Sequence, residues 1–237
     1  MYSFESRVRY SETAEDGSMS LSGIMNCLQD CSTFQIEHIG RGIRWLQEHD
    51  RAWLLMGWKI EISRRPVMNE KIRTTTRPYY YRGIMGLRYF DIRNADTDEL
   101  LVRADSAWCY VQPSTGEPVR LRPEDITPYL PVDEMPPGCG MKDRKIRIPE
   151  SGAVQEPFRV RRENLDTNHH VNNTQYVIMA ADYLPERFPV RHFQVQYMAQ
   201  AQLGEEIVPT VREDGDRIVV DLRDPAGAVY AVTAFYR

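Results

Sequence analysis

Trp58-Lys-Ile-Glu-Ile-Ser-Arg-Arg-Pro-Val-Met-Asn-Glu-Lys-Ile72 aligns without a gap to Phe193-Gln-Val-Gln-Tyr-Met-Ala-Gln-Ala-Gln-Leu-Gly-Glu-Glu-Ile207. Apolar positions coincide at Trp58/Phe193, Ile60/Val195, Ile62/Tyr197, Met68/Leu203 and Ile72/Ile207, and the turn Asn69-Glu70 falls on Gly204-Glu205. Further along, Val102-Arg-Ala-Asp-Ser-Ala-Trp108 matches Val229-Tyr-Ala-Val-Thr-Ala-Phe235. Both alternate as half-buried strands do. Upstream, Arg7-Val-Arg-Tyr-Ser parallels Phe158-Arg-Val-Arg-Arg, each followed by a polar turn and a helical pattern. Any one match is unremarkable for generic strands, but all of them in the same order mark a duplicated unit.

Each half therefore reads as strand, polar loop, helix and several long antiparallel strands. The first helix spans residues 20–39, with Leu21, Ile24, Met25, Leu28 and Cys31 or Ser32 on one stripe and Ser20 or Ser22 as its cap. A short helix at 43–49 has no counterpart later, and the second long helix spans 172–183, before Pro185. Strands are expected at 53–63, 70–82, 85–94 and 99–112, then at 191–200, 206–212, 216–223 and 227–236. The pairs Asp96-Thr97 and Asp214-Gly215 read as hairpin loops. Residues 121–156 are rich in Pro and Gly with little periodicity, which marks a linker. The organisation is an N-terminal unit over 1–120, a linker over 121–156 and a C-terminal unit over 157–237. One helix on one sheet is an α+β unit, and two such units side by side form a pseudo-dimer. A chain with its own pseudo-dimer is expected as a monomer or a loose homodimer.

Composition sets limits. The chain has 237 residues, 42% hydrophobic and 27% charged, with a net charge of -4. No basic field points to nucleic acid, and no apolar run approaches a membrane span. The first residues have neither a signal-peptide apolar region nor the look of a transit peptide. Cys27, Cys31, Cys109 and Cys139 complete no paired metal spacing and no secreted disulfide pattern. The expectation is a cytoplasmic protein with reduced thiols, no bound metal and no cofactor.

Chemistry concentrates in Glu163-Asn-Leu-Asp-Thr-Asn-His-His-Val-Asn-Asn-Thr-Gln-Tyr176, just before the second helix. A polar turn with a helix cap explains Asp, Asn and Thr here. The matching turn of the first half, Ala14-Glu-Asp-Gly-Ser-Met-Ser20, does that job with no histidine and no Asn cluster. Turn geometry alone therefore does not call for Asn168, His170 or Asn173. The first amides of the helix, at Val171, Asn172 and Asn173, are candidates for a cap or an oxyanion site.

The segment resembles the Asp-x-Asn-x-His-Val-Asn-Asn-x-x-Tyr signature of the acyl-ACP thioesterases of plant plastids and bacteria. Trp53-Leu-Leu-Met-Gly-Trp-Lys-Ile-Glu-Ile62 and Ala104-Asp-Ser-Ala-Trp108 resemble that family's N-terminal half. The resemblance implies a double hotdog, each long helix wrapped by its sheet, with one active site in the C-terminal half. It implies Asp166, Asn168 and His170 as the catalytic set and leaves His169 on a variable position. The family's Glu, followed in the plant enzymes by Cys, falls on Gln200-Ala201. Ala201 has no nucleophilic atom, and Gln200 is not a base but has an amide that can position water. Asp166 then acts as base or nucleophile and His170 shares proton transfer. The implied substrate is a long- or medium-chain acyl-ACP of fatty acid biosynthesis, with acyl carrier protein as partner. Met25 and Leu28 would border the acyl pocket, as well as serving as core. The basic clusters Arg64-Arg65 and Arg159 to Arg162 are equally candidates for an acidic carrier and for solvated strand ends.

Other readings stay open. Acyl-CoA carries the same phosphopantetheine arm as acyl-ACP. A hotdog acyl-thioester hydratase or dehydratase typically spaces its residues Asp-x-Asn-x-x-His, which would put the histidine where Val171 stands. A non-catalytic acyl-binding module would be expected to have lost Asp166 or His170.

Overall fold

The computed structural model describes every residue except 133, 135–139, 142, 143 and 167. Cys139, the run Pro136-Pro137-Gly138 and Thr167 of the motif lie outside the described residues. The chain divides into two compact units, Met1–Met56 with Ile62–Lys142, and Gly57–Glu61 with Asp143–Arg237.

The first unit contains β1 (Tyr2–Arg7), α1 (Leu21–His38), α2 (Ile43–Glu48), most of β2 (Ala52–Ile62), β3 (Lys71–Arg82), β4 (Met85–Asn94), β5 (Leu100–Gln112), β6 (Glu117–Pro118) and α3 (Pro123–Ile126). Its antiparallel sheet runs β1-β3-β4-β5, with β6 added to β5. Helix α1 packs on β1, β3 and β4. The expected stripe is buried, with Ile24, Met25, Leu28 and Cys31 at 1% exposure or less. Ser20 caps α1 through its hydroxyl, which accepts the Gly23 N–H at 3.0 Å. The first strand occupies residues 2–7, and Tyr10–Glu12 then closes into a 3-10 turn.

The second unit contains β7 (Ala153–Val154), β8 (Phe158–Arg159), α4 (Asn173–Ala181), β9 (His192–Tyr197), β10 (Glu206–Asp214), β11 (Arg217–Arg223) and β12 (Val229–Tyr236). Its strands run β9-β12-β11-β10-β7, with β8 also on β10, and residues Gly57–Glu61 of β2 pair antiparallel with β9. Gly57 is required there, since a Cβ would meet the Val195 carbonyl oxygen at 2.4 Å. Helix α4 packs on β11 and β12. It ends at Ala181, two residues before the expected end, because Pro185 disfavours helical backbone at Leu184 and the chain turns towards β9.

Loops differ in detail from expectation. Asp96-Thr97 sits within a longer connection, held by Asn94 Oδ1, which accepts both of their N–H groups. The β10–β11 turn is Gly215-Asp216, one residue later than read, with Gly215 at φ 66°. Residues 121–156 are more than a linker. They include α3 and β7, and Ile146 and Ile148 cover Val219, Val232 and Ala234 on the second sheet.

Candidate active site

The segment 164–172 folds back on itself as a small ladder. Leu165 bridges Val171, the Asp166 N–H donates to the His170 carbonyl at 2.8 Å, and the Asn172 N–H donates to the Asn164 carbonyl at 2.8 Å. A third strand joins on the other side, where His170 bridges Gln202 and the Val171 N–H donates to the Ala201 carbonyl at 3.0 Å. Side chains alternate across such a ladder. Val171 and Ala201 turn inward, at 3% and 0% exposure. The same register puts Asp166, His170, Gln200 and Gln202 on the opposite, outward side.

Asp166 organises the tip. Its Oδ1 accepts the Asn168 N–H at 2.8 Å and the His170 N–H at 3.4 Å, while Oδ2 accepts from the Asn168 amide at 3.5 Å. One carboxylate oxygen thus takes both backbone bonds of the turn, while among the described residues the other has a single long contact, at a partly exposed position. His169 takes the left-handed backbone at φ 63° and is exposed, which carries it away from this face. Asn172 caps α4, accepting the Thr174 N–H at 2.9 Å. Its own N–H and that of Val171 are taken, so of the two expected roles Asn172 fills the cap and not the oxyanion donor, and Val171 is not a free oxyanion donor. Among the described residues, the Asn173 N–H has no acceptor. Gln200 is exposed beside Ala201. Met25 and Leu28 sit in the core of the first unit.

The first unit repeats this framework bond for bond. Thr13 bridges Met19, Ser18 bridges Val67, and the Ala14, Met19 and Ser20 N–H groups donate to Ser18, Pro66 and Glu12 carbonyls. Asp166, Asn168, His169 and His170 thereby correspond to Ala14, Asp16, Gly17 and Ser18. Gly17, at φ 76°, holds the place of His169. Tyr176 and Ala201 correspond to Ile24 and Pro66.

Two residues of the second unit were not singled out from sequence, although Tyr176 closes the quoted motif. The Tyr176 hydroxyl accepts the Ala201 N–H at 2.7 Å, and the Tyr197 hydroxyl donates to the Asn173 carbonyl at 2.9 Å. Burial pushes the Tyr176 phenol up to about 12, and burial raises that of Tyr197 well above the ordinary value. Of the basic clusters, Arg64 is committed to Glu70 and Glu99, and Arg159 pairs with Glu206. Among the described residues no three His, Cys, Asp or Glu side chains are grouped as metal ligands would be, and no helix is long and apolar enough to cross a membrane.

Comparison with known proteins agrees with this architecture. The acyl-ACP thioesterase N-terminal domain matches residues 1–129 and the acyl-ACP thioesterase C-terminal domain matches 149–228. A chloroplastic acyl-(acyl-carrier-protein) hydrolase of Cuphea viscosissima is 26% identical over 191 residues, covering 75% of this chain and 45% of that protein. The chain spans about half the length of the curated relatives it matches. An acyl-ACP thioesterase structure from Bacteroides thetaiotaomicron superposes with a TM-score of 0.84 at 21% identity, covering 99% of this chain and 96% of that one. The 12:0-ACP thioesterase from Umbellularia californica gives a TM-score of 0.86 at 19% identity, with 99% and 96% covered. The fold is the α+β double hotdog, and the chain belongs to the acyl-ACP thioesterase family.

Proposed function

We propose that the chain hydrolyses acyl thioesters borne on acyl carrier protein, releasing free fatty acid in fatty acid biosynthesis, through the outward face of the 164–172 ladder. The observation that carries this reading is the register that groups Asp166, His170 and Gln200 on one face, in the one unit that has them. Family membership supports the substrate class, since the Cuphea viscosissima relative is named an acyl-ACP hydrolase.

The chemistry follows from which atoms are free. Oδ2 of Asp166 takes a proton from water, whose oxygen adds to the thioester carbonyl and displaces the thiolate, or attacks the carbonyl itself, displacing the thiolate and leaving an acyl-aspartyl anhydride that water then hydrolyses. His170 shuttles the proton to the leaving thiolate. The Asn173 N–H, which has no acceptor among the described residues and lies at the positive end of α4, and the Asn168 amide are donors available to the developing oxyanion. The Gln200 amide orients the water without acting as base.

Release of free thiol from acyl-ACPs and acyl-CoAs of graded chain length tests the activity and the carrier together. Asp166→Asn keeps the shape and most of the turn's hydrogen bonds while removing the charge. It is expected to lower kcat by at least about a hundredfold with acyl-thioester binding largely kept, as for an interaction used in the transition state. Full thiol release by Asp166→Asn would remove the carboxylate from the mechanism. Turnover of crotonyl- or 3-hydroxyacyl-thioesters without thiol release would point to a hydratase instead.

A further inference from the structure

The duplicated framework acts as an internal control for which contacts the fold needs and which the site adds. Backbone bonds that shape the turn and its neighbour recur in both units, so they belong to the fold. The bond between the Tyr176 hydroxyl and the Ala201 N–H does not recur. Its counterparts, Ile24 and Pro66, have neither the hydroxyl nor the N–H. Both partners of the bond are therefore particular to the unit that carries Asp166, Asn168 and His170, and the same framework folds without either.

The bond acts on one peptide group. The Ala201 N–H belongs to the peptide plane that also carries the Gln200 carbonyl, so the Tyr176 hydroxyl fixes the backbone from which Gln200 projects. The other side of Ala201 is held by the Val171 N–H on its carbonyl at 3.0 Å. Tyr176 is itself fully packed, at 1% exposure in α4 and with its ring 6.0 Å from that of Tyr197. A buried hydroxyl on a rigid helix is a firm anchor, whereas an exposed glutamine on a turn holds no fixed position by itself.

We infer that Tyr176 is a positioning residue of the hydrolytic site, holding the 200–201 peptide so that Gln200 stays on the face of Asp166 and His170. This rests on the hydrolase reading above. The orienting contact is lost when the hydroxyl is removed, and the loss appears in kcat rather than in substrate binding.

Tyr176→Phe keeps the ring and removes only the acceptor. The expected result is a kcat lower by about tenfold, as for a modest misplacement of a reacting group, with KM changed by less than about twofold. A lower melting temperature is also expected, because the Ala201 N–H is left buried and unpaired. Val219→Ala, in the core away from this turn, supplies a comparable loss of stability and should leave kcat unchanged. The decisive measurement is coupling. In a Gln200→Ala background, Tyr176→Phe should lower the melting temperature again but leave kcat where Gln200→Ala had put it. An equal kcat loss in both backgrounds, a silent Gln200→Ala, or an unchanged kcat in folded Tyr176→Phe overturns the inference. Should Tyr176→Phe fail to fold, a fluorinated tyrosine at 176, with the same shape and a weaker acceptor, takes its place in the same comparison. Asp166→Asn separates the two failures: thiol release surviving that change rejects the hydrolytic site itself, whatever Tyr176 does.

Discussion

His169 and His170 are neighbours in the chain, yet the backbone asks different things of them. At φ 63° His169 occupies a left-handed position that Gly17 fills at φ 76° in the other unit. That region favours glycine and tolerates histidine at a small conformational cost. His170 lies in the ladder, paired with Asp166 on one side and Gln202 on the other, and its side chain shares the outward face with Asp166. His169→Gly is therefore expected to keep thiol release within about twofold and stability within about 1 kcal/mol, as a compatible glycine exchange does. His170→Ala should lower kcat by about a hundredfold or more, as when a general acid–base group is removed. Steady-state thiol release with a thermal melt on each variant checks both. Loss of turnover in His169→Gly with His170→Ala active would mean that the motif has been assigned in the wrong register.

The strands were legible because alternation decides which face is buried, and a burial pattern such as that of β12 is written directly in its residue types. Their ends fell within a residue or two, except that β9 stops at Tyr197, three residues before the expected end at 200, where the chain turns into the 200–202 bridge. Bounds for the first strand were not legible, because Tyr2, Phe4 and Ser6 are only half-buried, which gives alternation a weak signal. The short α4 was overestimated because its last turn competes with the approach to β9. Backbone bonds that tie 164–172 to 201 were not legible, since amides and carbonyls look alike in every residue. The Asp166 turn was legible through its side-chain chemistry, but the occupied Val171 and Asn172 amides were not. One electrostatic consequence belongs to these elements. Glu70 closes the turn before β3, accepting the Val67 N–H at 2.9 Å, and the Arg64 guanidinium bound to it holds its carboxyl down at about 2. An unfolded glutamate titrates near about 4.3. Because the folded value is depressed, the stabilisation is complete above the unfolded value and is lost as pH falls from there through about 2. Glu70→Gln should melt lower than the parent at pH 7, with the gap closing between about pH 5 and pH 2. A gap that stays constant over that range would mean that Arg64 does not stabilise the charged form.

At the scale of the whole chain, the turn framework occurs twice and the proposed reacting groups stand in one copy of it. The turn at 14–20 has the same backbone bonds without the chemistry, since each copy needs the ladder to start its long helix. In the first unit Asp16 still performs the structural half of the job, its Oδ1 accepting the Ser18 N–H at 2.9 Å and the Ser18 hydroxyl at 2.6 Å. At its counterpart Asn168 that role falls to Asp166, which makes the turn bonds from two residues earlier, and the Asn168 amide instead donates to Asp166 Oδ2 at 3.5 Å. The two positions should therefore respond oppositely to truncation. Asp16→Ala removes a turn acceptor far in sequence from any reacting group, so the melting temperature should fall while kcat and KM stay at the parent values. Asn168→Ala removes an amide beside the Asp166 carboxylate, so kcat should fall about tenfold to a hundredfold, the range for one lost positioning contact, with a smaller change in melting temperature. Thiol release and thermal melts on this pair decide the matter, and a kcat loss in Asp16→Ala equal to that in Asn168→Ala would show that the first copy is not a scaffold alone.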